Sequence, residues 1–533
     1  MRRWIFKCST HLRLIVRSSA TMSTAMARTY ADAVTSLNTL QSNFAIVDAV
    51  RKSGGRLNEL SIPEMIEWCR KIGYKPSDFN ALKVIHIAGT KGKGSTAAFT
   101  SSILTQFVGG KGAKSLSKVG LYTSPHLRFV RERIQINGEP LSESQFAQYF
   151  FEVWDRLEYV AKEAGQDPYS PGSKPVYFRF LTLMAFHAYM REKVDVAVIE
   201  CGIGGAYDST NVFEAPAVTC ITSLGIDHVG MLGSTIGEIA WHKSGIMKSG
   251  VKCFTPSTQT AEAKAVMERV AHEKGSELQY VDVDPAVANG EIKLGLQADF
   301  QKMNASLAVA LAKTWLDQQG YTDDVDYKQK FARGLETVRW PGRCETRFEP
   351  GVKWCIDGGH TLESLELAGK WFASQLMTKK DSSGPLHPQP RFLIFNQQTR
   401  DAASLATALF NTLSAALNEP HPFTHAIFCT NTTFKDTGFK PDLISVNVNA
   451  SDVDSLKVQN NLAETWRGID SSTQVQVVRT IEEAVSIVRN FTNAHRQKTA
   501  GTDDGKEVAA LVTGSLHLVG GFLEVLESTK TSE

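Results

Sequence analysis

The chain has 533 residues, a formal net charge of +2 and 21% charged residues. This length predicts two or three domains. The near-neutral charge gives no electrostatic case for a nucleic-acid partner, so none is expected. No uninterrupted apolar run of about 18 residues occurs, so no stable membrane span is expected either. The eight cysteines are scattered without a CxxC pair, which is typical of reduced core residues and not of a disulfide framework.

The N-terminus differs in composition from the rest of the chain. Residues 1–31 contain no Asp or Glu but six Lys or Arg, and Ser and Thr are frequent. This pattern predicts that residues 1–28 are an organelle transit peptide, with a disordered basic tail as the alternative. Met22 and Met26 follow most of the basic residues, and initiation at either would give a second form. We therefore expect a mitochondrial protein, in the matrix or associated with the inner membrane, and a cytoplasmic one.

A glycine-rich turn is the first segment that indicates chemistry. A strand predicted at 84–87 enters it, the turn reads Gly-Thr-Lys-Gly-Lys-Gly-Ser over residues 89–95, and a helix predicted at 96–107 leaves it. Glycines let backbone N–H groups approach an anion, and the helix start adds a positive dipole end. Lys93 is placed to reach the outer nucleotide phosphates, and Ser95 or Thr96 to offer a hydroxyl to a metal ion.

This turn departs from the general phosphate-loop pattern at two positions. Ile87 stands where that pattern has Gly, and Gly94 stands where it has Ser or Thr. An ordinary strand-to-helix turn is therefore the alternative interpretation.

Apolar runs alternate with stretches of helical spacing, which predicts parallel sheets flanked by helices. Strands are also predicted at 119–122, 194–199, 217–223, 251–254, 278–283, 352–356, 391–395, 425–429, 474–478 and 509–513. Helices are also predicted at 30–40, 45–50, 62–72, 178–192, 236–247, 260–274, 304–319, 402–417 and 481–491. Surface loops are predicted at 109–118, 379–391 and 495–506.

Polar residues follow several of the predicted strands. Ser124 comes after the strand at 119–122, and Glu200 ends the apolar run at 194–199 and is followed by glycines. His228 comes a few residues after the strand at 217–223. Open α/β sheets place ligands at the carboxyl ends of their strands, and a carboxylate there suits a metal beside a nucleotide.

A hinge between two domains is predicted at Trp-Pro-Gly-Arg, residues 340–343. The predicted domains are 29–338 and 345–533. The first strand of the second domain ends in Asp357, which is followed by two glycines and His360.

Together these segments resemble the folylpolyglutamate synthase family of Mur-ligase-like, ATP-dependent amide ligases. The resemblance spans about residues 29–526, and residues 30–41 resemble the eukaryotic members. Its motifs lie at 89–95, 122–127, 131–134, 200–205, 208–211, 224–228, 239–243, 340–343, 357–361 and 513–521. It implies an α/β fold, with a P-loop NTPase-like parallel-sheet domain that binds ATP and a smaller Rossmann-like α/β domain at the C-terminus.

The resemblance also implies a reaction and its participants. ATP phosphorylates the terminal γ-carboxyl of a reduced folate polyglutamate, and the amine of L-glutamate attacks the acyl phosphate, which leaves ADP and phosphate. Magnesium is the implied metal, and a monovalent cation such as K⁺ is an additional candidate. We expect the enzyme to act as a monomer.

The resemblance also implies a role for individual residues within these motifs. Gly92, Lys93, Gly94 and Ser95 would cradle the phosphates, Ser124, Glu200 and His228 would hold Mg²⁺, and Arg343 and Asp357 would meet ATP from the second domain. Lys93, Lys243 and His360 would take part in catalysis. The alternatives are a turn cap for Ser124, a strand-end salt bridge for Glu200 and a structural loop histidine for His228. His360 could instead only pack its loop.

Lys243 and the folate contacts are less determined. Lys243 corresponds to a lysine that is carbamylated in some members, and the alternative is a plain surface or phosphate-contacting lysine. The loop at 124–127, with Arg131 and Arg133, is the expected place for the folate ring and its carboxylates. Gly359 replaces the usual Ala of the family, which should leave the chemistry unchanged, and the insertion after Val108 is long.

Three other functions fit parts of the sequence. A dihydrofolate synthase would share fold and chemistry but add the first glutamate to dihydropteroate. A P-loop NTPase switch would hydrolyse nucleotide without forming an amide, and would need neither Arg343 nor Asp357. A non-catalytic relative is disfavoured because all the expected phosphate and metal residues are present.

Overall fold

The computed structural model describes residues 28–41, 59–110, 115–170, 172–321, 326–377, 389–398, 401–436, 438, 442, 455–498 and 507–528. The helix predicted at 45–50 lies outside these residues, as do Met22, Met26 and all of the predicted transit segment but its last residue. Most of the surface loop predicted at 379–391 also lies outside them.

A large sheet forms the first part of the molecule. Its eight strands have the order β4-β3-β2-β5-β1-β6-β7-β8. All neighbours from β2 to β8 in that order are parallel, and the short strands β3 and β4 form an antiparallel edge. The strands are β1 (Ile85–Ala88), β2 (Val119–Tyr122), β3 (Ile134–Ile136), β4 (Glu139–Pro140), β5 (Val196–Glu200), β6 (Val218–Ile221), β7 (Lys252–Pro256) and β8 (Glu277–Val281).

Helices cover both faces of this sheet. They are α1 (Tyr30–Asn38), α2 (Ser61–Lys71), α3 (Lys93–Thr105), α4 (Glu143–Glu163), α5 (Tyr177–Glu192), α6 (Val229–Leu232), α7 (Ile236–Ser244), α8 (Ala261–Lys274), α9 (Pro285–Ala288), α10 (Gln301–Gln319) and α11 (Tyr327–Thr337). Two short 3₁₀ helices span Pro76–Leu82 and Val130–Arg133. Strand β5 shows why the sheet needs helices on both faces. Ala197 and Ile199 pack into the hydrophobic core on one face, while Val196 and Val198 pack into the core on the other. Alternate residues of a strand face opposite sides, so a strand buried on both faces is apolar throughout.

A second sheet forms the C-terminal part. Its order is β13-β12-β11-β14-β10-β9, parallel except for the antiparallel edge strand β9. The strands are β9 (Glu345–Glu349), β10 (Val352–Ile356), β11 (Arg391–Phe395), β12 (His425–Phe428), β13 (Gln474–Val477) and β14 (Val508–Thr513). The helices are α12 (Leu362–Met377), α13 (Ala402–Leu417), α14 (Lys457–Ile469), α15 (Ile481–Lys498) and α16 (Leu516–Ser528).

The predicted architecture, a parallel-sheet domain followed by a smaller α/β domain, is confirmed. The strands predicted at 352–356 and 391–395 and the helix predicted at 402–417 have the predicted bounds. The sheets fall on either side of the predicted hinge, while the boundaries 29–338 and 345–533 stay predictions. No helix in the described parts of the chain is both long and apolar enough to span a membrane.

Several predicted boundaries differ from those of the structure, and two of the differences have a clear physical reason. Helix α3 begins at Lys93 and not at residue 96, because Gly92 takes a left-handed conformation and turns the chain directly into the helix. Helix α15 continues to Lys498, so residues 495–498 are not part of a surface loop. The rings of Phe491 and His495 stack with centroids 5.8 Å apart, which is the spacing that continues a helical face.

The two parts meet along the loop that follows β2. In that loop the Arg128 guanidinium binds Glu524 of α16 at 2.6 Å and also pairs with Glu527. The backbone N–H of Val130 donates to Asp442 Oδ1 at 2.9 Å. Side chains of the second part thus hold the segment that carries Ser124.

Candidate active site

The glycine-rich turn has the shape of an anion-binding loop. Gly89 and Gly92 have φ angles of +148° and +86°, which favour glycine. A Cβ at Gly89 would lie 1.8 Å from Thr222 Oγ1, and one at Gly92 would lie 2.2 Å from Asn304 Oδ1. A side chain at either position would strain the backbone and collide with a neighbouring side chain, so glycine is strongly favoured at both.

Helix α3 starts at the end of this loop and is anchored beside β6. The backbone N–H groups of Thr90 and Lys91 both donate to Ser223 O at 3.0 Å. The first N–H groups of a helix have no acceptor within it, and they carry the positive end of its dipole. At α3 these groups belong to Lys93, Gly94 and Ser95, as an anion site requires.

Two lysines converge on one carbonyl of the loop. Lys93 Nζ donates to Gly89 O at 3.1 Å, and Lys243 Nζ donates to the same oxygen at 2.7 Å. Lys243 is only 3% exposed, so the interpretation of a plain surface lysine is wrong. Burial and the nearby charge of Lys93 lower the pKa of Lys243 to about 7.

Glu200 is a buried carboxylate at the end of β5. It is 4% exposed, and its Oε2 accepts the backbone N–H of Ser124 at 3.0 Å. A Cβ on Gly94 would lie 3.5 Å from the same oxygen, so the first turn of α3 lies beside this carboxylate. Burial raises the pKa of the Glu200 carboxyl, against the opposing effects of the charges of Lys93 and Arg343 and of the Ser124 N–H.

The second domain contributes a second buried carboxylate, Asp357, which accepts hydrogen bonds from backbone N–H groups of its own domain. Asp357 is 6% exposed and accepts the N–H groups of Cys344 at 2.9 Å and Gly359 at 2.8 Å. Burial raises the pKa of Asp357, while the charge of Arg343 opposes that rise. His360 Nδ1 lies 3.1 Å from Gly358 O.

The departure at Gly359 has a structural consequence. A Cβ at this position would lie 3.0 Å from Asp357 Oδ1 and 3.1 Å from Ser364 O. Both distances are short for a methyl group, so glycine lets this loop close around Asp357 in this chain.

A cleft of about 950 Å³ lies between the two parts of the molecule and brings most of the predicted residues together. It is lined by Gly92, Lys93, Gly94, Ser95, Ser124, Glu200, His228, Arg343, Asp357 and His360. Lys243 and Arg131 are not among its lining residues, whereas Arg133 is. The cleft also contains residues for which no role was predicted, among them Lys91, Tyr177, Asp227 and Asn304.

Comparison with known proteins decides the family. The chain is 45% identical over 524 residues to the folylpolyglutamate synthase of Neurospora crassa, which covers 97% of this chain and 95% of the relative. It is 44% identical over 509 residues to the folylpolyglutamate synthase of Saccharomyces cerevisiae, which covers 94% of this chain and 87% of the relative. The chain belongs to the folylpolyglutamate synthase family. No family model matches the sequence.

Solved structures share the fold of this family member. The folylpolyglutamate synthase of Mycobacterium tuberculosis complexed with ADP aligns with a TM-score of 0.62 at 21% identity, covering 93% of this chain and 99% of that chain. The Thermotoga maritima enzyme aligns with a TM-score of 0.61 at 23% identity, covering 94% and 97%. These structures confirm the fold, and the relatives at 44–45% identity confirm the resemblance carried by the motifs.

The residues at the end of β5 fit a magnesium ion by their chemistry. Hard cations prefer carboxylate and hydroxyl oxygens, which Glu200 and Ser124 offer side by side. Within the described residues, no group of three or more His, Cys, Asp or Glu side chains could hold a metal. A cation here would therefore depend on water and phosphate oxygens for its remaining ligands. His228 fits least well, because it is exposed and imidazole is an unusual ligand for magnesium.

Lys243 should make the stability of the protein depend on pH. Its pKa is about 7 in the folded protein, against an ordinary value of 10.5. Between these values the unfolded chain binds the extra proton, so the free energy of unfolding rises with pH. Relative to Lys243→Met, the wild type should gain up to about 1.4 kcal/mol per pH unit between pH 8 and 10, measured by urea denaturation.

A matched variant controls for general pH effects. Lys162 is exposed on α4, and Lys162→Met should give a curve parallel to the wild type. Parallel curves for the wild type and Lys243→Met would contradict the low pKa of Lys243.

Proposed function

We propose that the chain is an ATP-dependent ligase that adds L-glutamate to the γ-carboxyl of tetrahydrofolyl-(poly)glutamate. The observation that carries this proposal is the convergence of Lys93, Glu200 and Arg343 on one cleft in a member of this family. The alternative of a nucleotide switch is less well supported, because the relatives at 44–45% identity over nearly the whole chain are named folylpolyglutamate synthases.

The reaction needs two kinds of help that the cleft can provide. A carboxylate is a poor acyl donor at neutral pH because its leaving group would be oxide. Its oxygen therefore attacks the γ-phosphorus of ATP, the bond to ADP breaks, and an acyl phosphate results. The glutamate amine then attacks the carbonyl carbon, phosphate leaves, and the amine loses a proton. Both reactants of the first step are anions, so cations must lower their repulsion.

The residues of the cleft divide this work between the two domains. The first N–H groups of α3 and the ammonium of Lys93 bind phosphate oxygens from one side. Arg343 approaches from the other side, where its planar guanidinium suits a phosphate, and Asp357 suits a ribose hydroxyl or a water. Since ATP would touch both domains, closure of the cleft belongs to the catalytic cycle.

Magnesium would be held by Glu200 and Ser124, with His228 as the third proposed ligand. The ion would supply positive charge that is shared by phosphate oxygens during transfer. Lys243 lies next to Lys93 at Gly89 O, and its neutral fraction near pH 7 is what carbamylation would require. A phosphate contact through charge is the alternative role for Lys243. We also propose a monovalent cation such as K⁺ as an additional cofactor.

The folate side of the cleft is proposed to lie near Arg133. This side chain lines the cleft, its Nε donates to His126 Nδ1 at 3.0 Å, and its guanidinium lies 5.6 Å from the ring centre of Tyr177. A cation held beside aromatic rings suits a substrate that has both a ring and carboxylates. Both walls of the cleft come from one chain, which supports action as a monomer.

A purified-protein assay tests the function. The protein is supplied with ATP, Mg²⁺, labelled L-glutamate and either tetrahydrofolate or dihydropteroate. Label should enter tetrahydrofolate and its glutamylated forms, and omission of Mg²⁺ should remove the product. Label that enters only dihydropteroate would favour a dihydrofolate synthase. ATP turnover without any amide product would favour the nucleotide switch.

Two variants test the assigned roles within that assay. Lys93→Ala and Glu200→Ala should each lower the ligation rate by at least about 10³-fold, because each removes a charge from the phosphoryl-transfer region. Both should keep the circular-dichroism spectrum of the wild type. Lys313→Ala and Glu163→Ala, which change exposed residues of α10 and α4, serve as matched controls with normal rates. Near-normal turnover in either active-site variant would remove the role assigned to that residue.

We also propose that the protein exists in two compartments. The support is the Arg-rich, acid-free composition of residues 1–31 and the later methionines Met22 and Met26. A fluorescent reporter fused after residues 1–30 should localise to mitochondria, and the shorter protein that begins at Met22 or Met26 should be cytosolic. A diffuse cytosolic signal from the reporter fused to residues 1–30 would contradict the proposal.

A further inference from the structure

Lys91 lies in the phosphate loop, but its side chain leaves the loop toward the second domain. Its Nζ donates to Thr361 Oγ1 at 2.9 Å and to Asp227 Oδ2 at 3.3 Å. Its backbone N–H is bound to Ser223 O, so the base of the side chain is fixed. One ammonium group therefore connects three segments that the sequence separates widely.

Each segment that Lys91 reaches carries a residue of the proposed site. Thr361 follows His360 directly, and Thr361 Oγ1 lies 2.9 Å from Ser364 Oγ, which in turn accepts the N–H of His360 at 3.0 Å. Asp227 precedes His228 and accepts its N–H through Oδ1 at 2.9 Å. A displacement of the Lys91 ammonium would therefore change the hydrogen bonds that position His360 and His228.

The surroundings of these contacts make them strong. The side chains of Lys91 and Asp227 are 27% and 10% exposed, and Thr361 is 6% exposed. Hydrogen bonds from a charged donor are about twice as strong as neutral ones, and partial burial limits their screening by water and salt. Glu363 of α12 lies close to Gly225: a Cβ built on Gly225 would be 3.4 Å from the Glu363 carboxylate. The two domains therefore also touch beside the Lys91 contacts.

We propose that Lys91 is a positioning residue that ties the phosphate loop to the second domain through Thr361. While this bond is made, Asp357 and His360 face the phosphate-binding end of α3; without it, the loop that carries them loses its direct link to the phosphate loop. The proposal rests on the ligase function proposed above, because that function requires both domains to meet one nucleotide.

A direct phosphate contact is the competing role for Lys91, since the residue belongs to the phosphate loop. Its ammonium group is engaged by Asp227 and Thr361, which favours the positioning role. The two roles differ in one respect that can be measured. Loss of the Thr361 hydroxyl should matter as much as loss of the lysine if Lys91 acts through Thr361, and should matter little if Lys91 binds phosphate.

A double-mutant cycle uses this difference. Lys91→Met, Thr361→Val and the double variant are compared in the ligation assay. Each single variant should lower kcat by about ten- to a hundredfold, the effect of losing a hydrogen bond to a charged group. The double variant should be no slower than Lys91→Met alone. Losses that multiply in the double variant, or a Thr361→Val variant with normal kcat, would overturn the proposal.

Two further variants separate positioning from folding. Thr361→Ser keeps the hydroxyl and should restore most of the kcat that Thr361→Val loses. Lys252→Met removes a partly exposed lysine that pairs with Glu277 at 4.0 Å and does not line the cleft, and it should behave as the wild type. Melting temperatures are recorded for all variants, and a Thr361→Ser variant as slow as Thr361→Val would also contradict the proposal.

Closure of the cleft gives a second readout that a purely local defect would not change. With a non-hydrolysable ATP analogue, the radius of gyration from small-angle X-ray scattering should fall for the wild type and Thr361→Ser, but less for Lys91→Met and Thr361→Val. Equal compaction in all four proteins would overturn the positioning role. If the wild type forms no amide product, the proposed ligase function is wrong. If the wild type is a ligase but the kcat losses of Lys91→Met and Thr361→Val multiply in the double variant, only the present inference is wrong.

Discussion

One buried carboxylate connects the parts of the active site. Glu200 lies at the end of β5 with 4% of its surface exposed, and a charge so far from water needs compensating partners. These partners come from three separate segments: Lys93 on α3, the N–H of Ser124, and Arg343 in the second domain. Because none of them is a sequence neighbour of Glu200, these opposing contributions act on it only when the phosphate loop, the β2 loop and the second domain are assembled.

Parallel strands explain why so much of this arrangement could be predicted from the sequence. The register pairs Ile87 with Glu200, and Ala88 with Ile221, so β1, β5 and β6 end at one edge of the sheet. A strand that is buried on both faces appears as a continuous apolar run, and the polar residue after it marks that edge. The sequence therefore placed Lys93, Ser124 and Glu200 at one edge without any knowledge of distances.

Some features of the structure could not be predicted from the sequence, for a local reason in one case and a non-local reason in others. Helix α4 buries Phe146, Phe150, Val153 and Leu157 at helical spacing, but intervening aromatic residues such as Phe151 hide that period. By contrast, the bond between Lys91 and Thr361 joins residues 270 positions apart, and no local pattern in a single sequence signals such a pair. The burial of Lys243 was missed for the same reason, because the groups that cover it come from other segments.

The phosphate loop is shaped before any nucleotide arrives. Thr222 and Asn304 occupy the space that side chains at Gly89 and Gly92 would need, so the glycines serve packing as well as phosphate approach. A loop held in this way presents its N–H groups without an ordering cost on binding. Lys93 and Lys243 share the Gly89 carbonyl, and their mutual repulsion contributes to the low pKa of Lys243. A polyphosphate bound here would bring negative charge next to both lysines and so lower their mutual repulsion.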